Sequence, residues 1–137
     1  MVDYIGKNLD DIPEDMKGGS ATPAAHYLFY ISSDATKLSQ SKADLLHHFV
    51  AQPLYILKMS RPYIQLEVSF LCTRVRGPDT DDYKKLVRGM NYIQETIGLP
   101  LILSIDRSVN MKWYVDAVFA VHKYMRSHTG GFMTMGK

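Results

Sequence analysis

The sequence predicts an α+β protein: a helical middle followed by a small antiparallel sheet. Three observations predict it. Between residues 41 and 98, apolar residues recur at helical spacing in three successive stretches. Beyond Gly98 the texture changes to short runs rich in β-branched and aromatic residues. Gly77–Pro78, and Gly98 with Pro100, punctuate the helical part as helix stops do.

Taken in order, residues 1–40 carry few order signals. "MVDYIGKNLDDIPEDMKGGSATPAAHYLF" mixes acids, Gly18–Gly19, Pro13 and Pro23 with scattered apolar residues. The expectation is a poorly ordered, extended N-terminal arm with at most one helical turn. A helical region, 41–98, follows. Ser41 is its expected N-cap, with Asp44 forming a weak capping box. Leu45, Phe49, Ile56 and Leu57 carry the first helical pattern, which Pro53 interrupts. An interior proline costs about 3 kcal/mol, so a kink or break near Gln52 is expected. The second pattern starts at Pro62, a good first-turn residue. Ile64, Val68, Leu71, Cys72 and Val75 form its stripe. The third is capped by Asp79 or Thr80, with Asp81 and Asp82 favourable to the helix dipole. Tyr83, Leu86, Val87, Met90, Ile93 and Ile97 line one face. Lys84, Lys85 and Arg88 fall largely off that stripe; they read first as a solvated face and second as a phosphate-contacting one. In residues 99–137, "LPLILSID", "KWYVDAVFA" and "HTGGFMTMG" are the expected strands, giving a two- or three-stranded sheet with a turn spanning roughly His122 to His128.

The 137 residues suffice for one ordinary domain with a core, and 46% hydrophobic with 22% charged residues is a normal globular balance. A net charge of +2 means that any nucleic-acid-binding face must be local. The single cysteine, Cys72, excludes an intrachain disulfide and suits a reducing compartment. No apolar run reaches the roughly 18–20 residues of a membrane span, and the acidic N-terminus does not resemble a signal peptide. The expectation is an intracellular protein, cytoplasmic or nuclear, with no membrane partner and no evident small-molecule substrate.

Single residues add little chemistry. Neighbours such as His47 and His48 point about 100° apart on a helix, which argues against joint metal ligation. Cys72 lies on an apolar stripe and reads as a packed thiol. Asp116 is the exception, a carboxylate inside "WYVDAVFAV". Beside Tyr114 and Val118 it needs a partner or solvent. Two readings stay open: an edge aspartate reaching water or an arginine such as Arg126, and a metal-binding carboxylate.

Three stretches, in order, resemble a known family. "LHHFVAQPLYILKMSRPYI" looks like a helix leading into a Ser/Thr-Arg-Pro-Asp-Ile motif, here Ser60, Arg61, Pro62, Tyr63 and Ile64. "PDTDDYKKLVRGMNYIQETIGLPLIL" resembles the helix after it, with Arg88, Tyr92, Thr96, Gly98 and Leu99 in the family's places. "YVDAVFAVHKYMRSHTGG" looks like the first RNase H strand and turn, through Asp116–Ala117 and Arg126, Ser127, Thr129 and Gly130. Together, over roughly 90 residues, they resemble the reverse transcriptase–RNase H junction of copia-type retrotransposon polyproteins.

The resemblance implies that residues 41–98 are a reverse-transcriptase connection region. It also implies that 99–137 begin a truncated RNase H-like domain, the first hairpin of an incomplete fold. Asp116 would be the first carboxylate of a two-magnesium site, and so both a catalytic and a metal-binding residue. Mg²⁺ is the implied cofactor, not held stably by this chain alone. The partners would be an RNA–DNA hybrid or the rest of the polyprotein. The inherited role would be RNA-directed DNA synthesis and hybrid hydrolysis. The polymerase Tyr-x-Asp-Asp signature and most of the RNase H acids are absent, so the expectation is a chain inactive by itself. Pro53, Tyr63 and Phe119 depart from the family pattern and imply a decayed or partial copy. The alternative is a non-catalytic nucleic-acid-binding or protein-interaction module. In it Lys84, Lys85, Arg88, Lys112, Lys123 and Arg126 would track a backbone while Trp113 or Tyr114 stack.

Overall fold

Residues 1–107, 110–122 and 125–136 are described by a computed structural model of the chain. They form an α+β protein with four α-helices and a two-stranded antiparallel sheet, in two units, Met1–Leu99 and Pro100–Lys137.

The first unit is built from the apolar stripes of its helices: α1 (Val2–Asp10), α2 (Gln40–Met59), α3 (Gln65–Arg74) and α4 (Thr80–Glu95). Leu46, Phe49, Val50 and Ile56 of α2 meet Val68, Phe70 and Leu71 of α3 and Leu86, Met90 and Ile93 of α4 in one buried cluster. Helix α2 runs unbroken through Pro53, contrary to the expected break, and begins after Ser39, not Ser41. Pro53 is itself buried among the core residues, and that packing offsets its missing backbone donor. The Ser-Arg-Pro stretch makes the corner between α2 and α3, where Pro62–Ile64 form one 3₁₀ turn. There Arg61 is buried and donates to the Ile97 carbonyl at 2.7 Å and to the Tyr63 hydroxyl. A cation at this point favours the carbonyl-rich end of α4. The phenol of Tyr63 gives the guanidinium a neighbouring partner.

The N-terminal segment differs most from expectation. Its first residues form α1, and Ile5, Ile12, Met16 and Leu28 are buried in the same core. Of the residues that read as scattered, Ile5 and Leu9, four apart, share one face of α1, and Ile12 and Met16 follow beyond its end, Met16 in the 3₁₀ turn Glu14–Met16. Polar contacts hold the rest against α4. Tyr83 Oη donates to Asp15 at 3.1 Å, Lys85 Nζ to the Tyr30 carbonyl at 2.6 Å, and Arg88 to Thr22 Oγ1 at 2.7 Å.

The second unit is a hairpin of β1 (Lys112–Val118) and β2 (His128–Thr134). Its register places Asp116 opposite Gly130, Val115 opposite Gly131 and Val118 opposite His128. The expected strand at 99–106 does not form: only Ile105 makes a bridge, parallel, with Met135. Ile102 and Leu103 remain more than 80% exposed, at 81% and 86%, so the run lacks the ladder partner that β-propensity alone cannot supply.

Helices α3 and α4 approach where Glu67 faces Gly89. A Cβ at Gly89 would overlap the Glu67 carboxyl group. Alanine for glycine ordinarily stabilises a helix interior by roughly 0.5–1 kcal/mol. Gly89→Ala is instead expected to destabilise the unit by about 1–3 kcal/mol through overpacking. Much of that loss should be recovered when Glu67→Ala is added. A urea midpoint for Gly89→Ala equal to or above that of the parent chain would contradict the close approach.

Candidate functional site

Helix α4 carries the first set of candidate residues, and its start fixes where they point. Asp79 accepts from the backbone of Asp81 and Asp82, both at 2.9 Å, and Asp82 accepts in return from the Asp79 amide at 3.1 Å. This is a complete capping box. Arg74, at the end of α3, donates to Asp82 at 2.9 Å and to Asp79 at 3.0 Å. Asp82 is buried, and burial outweighs these donors, pushing its carboxyl above the usual aspartate range.

From that start, Lys84, Lys85 and Arg88 come together at the rim of a cavity of about 360 Å³. They are not one solvated face. Lys84 is open to solvent and pairs with Asp81 at 3.3 Å. Lys85 is buried, with its ammonium 4.7 Å from the Phe70 ring centroid, and burial lowers its pKa. Arg88 is turned to the Thr22 backbone and hydroxyl. Pro23, Ala24 and Leu28 of the N-terminal segment form the opposite wall.

Glu67 also lines the cavity, and neither composition nor motif singled it out. It is 3% exposed. Burial pushes its carboxyl well above the ordinary 4.5, against the pull of Arg88 and of a hydrogen bond from the Gly89 backbone. The sequence did carry a signal: Ile64, Glu67, Val68 and Leu71 share one helical stripe, so an acid sits at a core position opposite a lone mid-helix glycine.

In the hairpin, Asp116 is exposed at the middle of β1, and its Oδ1 accepts from the Ala117 amide at 2.9 Å. Gly130 places no side chain against it. Lys112 lies at the far end of the strand from the turn and pairs with Asp106 at 2.8 Å, which raises its pKa. Arg126 is exposed in the connection at the opposite end. Lys123 lies outside the described residues. The hairpin therefore does not bring Asp116, Lys112 and Arg126 together. Among the described residues, no group of three His, Cys, Asp or Glu side chains could hold a metal ion. A lone carboxylate does not fit the several oxygen ligands that magnesium requires. His47 and His48 are both exposed on α2, and Cys72 packs half-buried against the core with its thiol pKa pushed up by burial.

Over 81 residues the chain is 30% identical to the uncharacterized mitochondrial protein AtMg00810 of Arabidopsis thaliana. The match takes in 59% of this chain and about a third, 34%, of that protein. No protein-family model matches the chain, and no solved structure is significantly similar to it. Among the described residues, no helix is long and apolar enough to cross a membrane.

The Glu67 environment predicts a pH dependence. The folded state holds this proton more tightly than the unfolded chain, whose carboxyl titrates near its ordinary 4.5. The contribution to stability is therefore complete below that pH and is lost as pH rises through the higher folded value. Glu67→Gln removes the loss, so the variant should gain stability over the parent as pH rises above the ordinary 4.5. A stability difference that stays constant across pH 4–8 would contradict a carboxyl protonated by burial.

Proposed function

We propose that the chain is a piece of a copia-type retrotransposon polyprotein, spanning the reverse-transcriptase connection region and the first hairpin of RNase H. One observation carries this reading. A helical unit is followed by a β-hairpin whose first strand holds Asp116 at its centre, exposed and opposite a glycine. The ordered sequence pieces support it. In this reading Asp116 is one carboxylate of a cluster that residues outside the chain complete. The substrate of the whole protein is an RNA–DNA hybrid. Lys84 and Arg126, both exposed, would each contribute to meeting its phosphates.

A second reading, a non-catalytic interaction module, is favoured by the exposed aromatic residues of the hairpin. Trp113 is 66% and Tyr114 57% exposed, and Tyr114 lies 6.4 Å from Phe132 across the strands. Such rings stack on bases or dock partner surfaces.

The purified chain with a labelled RNA–DNA hybrid and Mg²⁺ tests both readings. The expected result is binding that weakens as salt rises, no cleavage, and unchanged binding for Asp116→Asn. Cleavage abolished by Asp116→Asn would contradict an incomplete site, and binding indifferent to salt would contradict phosphate contact.

A further inference from the structure

Neither reading uses the cavity between the N-terminal segment and helices α3 and α4. Its volume, about 360 Å³, lies at the lower end of the roughly 300–1,000 Å³ typical of small-molecule sites. Pro23, Ala24 and Leu28 give it an apolar wall, and Tyr27 and Tyr30 also line it. Both tyrosines are more than half exposed, at 52% and 66%.

The polar groups are unequal in sign. Lys84, Lys85 and Arg88 contribute three cationic heads, and Asp81 one carboxylate. Glu67 also lines the cavity, and burial pushes its carboxyl above the ordinary range. The cations also retain donor capacity. Lys85 spends one of an ammonium's three donors on the Tyr30 carbonyl. Lys84 is tied only at the surface, to Asp81 at 3.3 Å.

Size selects among anions. Inorganic phosphate would leave most of the volume and the whole apolar wall unused. A nucleic-acid duplex is far too wide to enter. We propose that the cavity binds a small organic anion, its aromatic or aliphatic body against Pro23, Ala24 and Leu28 and its carboxylate or phosphate head at Lys84 and Arg88. The proposal concerns the first unit alone and does not rest on the polyprotein reading, with which it shares only Lys84; the outcome of the hybrid-cleavage assay does not bear on it.

Calorimetry with the full chain tests it, using 1-naphthyl phosphate and 1-naphthoate as probes beside inorganic phosphate and uncharged 1-naphthol. At least one naphthyl anion should bind about tenfold more tightly than either inorganic phosphate or 1-naphthol. Lys84→Ala, a change on an open side chain, should weaken that binding by about tenfold, the scale of one charge-assisted hydrogen bond. Ala25→Phe, which narrows the cavity, should abolish it while leaving the thermal melt cooperative. If Ala25→Phe does not fold, amide shifts on titration of the parent chain serve instead, and they should centre on residues 23–30. Inorganic phosphate binding as tightly as the naphthyl anions, unchanged affinity in Lys84→Ala, or shifts centred elsewhere would overturn the proposal.

Discussion

The first unit depends on two aspartates and one arginine where α3 hands over to α4. Asp79 and Asp82 satisfy the opening amides of α4, and Arg74 holds both carboxylates from the end of α3. The same corner takes in the chain before α2: the Leu38 amide donates to the Pro78 carbonyl and the Thr80 amide to the Thr36 carbonyl, at 3.1 and 3.0 Å. Burying two carboxylates beside one guanidinium costs free energy, and Asp82's upward shift is the sign of that cost. In return the axis and rotation of α4 are set, and every polar side chain further along inherits its direction. A one-residue slip would turn Tyr83, Lys85 and Arg88 by about 100° away from the N-terminal segment.

That dependence explains why the basic residues of α4 mislead when read as a list of charges. Helical spacing separates Lys84, Lys85 and Arg88 from the apolar stripe, and in isolation this means a wet or phosphate-facing surface. It says nothing about a segment some 55 residues earlier folding over that face. Lys85 and Arg88 supply donors to Tyr30 and Thr22, which tie a loop without regular structure to the helix. The same arrangement leaves a hollow under the segment.

Local features were legible and tertiary ones were not. The stripe and cap of α4 could be read because both are settled within a few residues, and the β1–β2 hairpin because its aromatic and β-branched runs flank a turn. Continuity of α2 through Pro53 could not be read, since it depends on packing against other helices. "LPLILSID" has strand composition, but a strand exists only with a neighbour. The spacing of Ile5 and Leu9 was present, masked by the acids and glycines between and after them. Asp116 was legible as an anomaly; that it faces a glycine and solvent follows from register, which a single strand does not specify. For the candidate site the lesson runs the other way. Glu67 stood in plain view on the α3 stripe, and its meaning emerged only with Gly89 opposite.

The central claim is that donors on α4 hold residues 22–30 in place. Hydrogen exchange of those amides, in the parent chain and in Lys85→Met/Arg88→Met, tests it most directly. Losing charge-assisted hydrogen bonds worth roughly 1.5–3 kcal/mol each should speed exchange across residues 22–30 by about tenfold or more. Amides of α4 between residues 83 and 93 should stay protected. Equal exchange in the two chains across residues 22–30 would contradict the account.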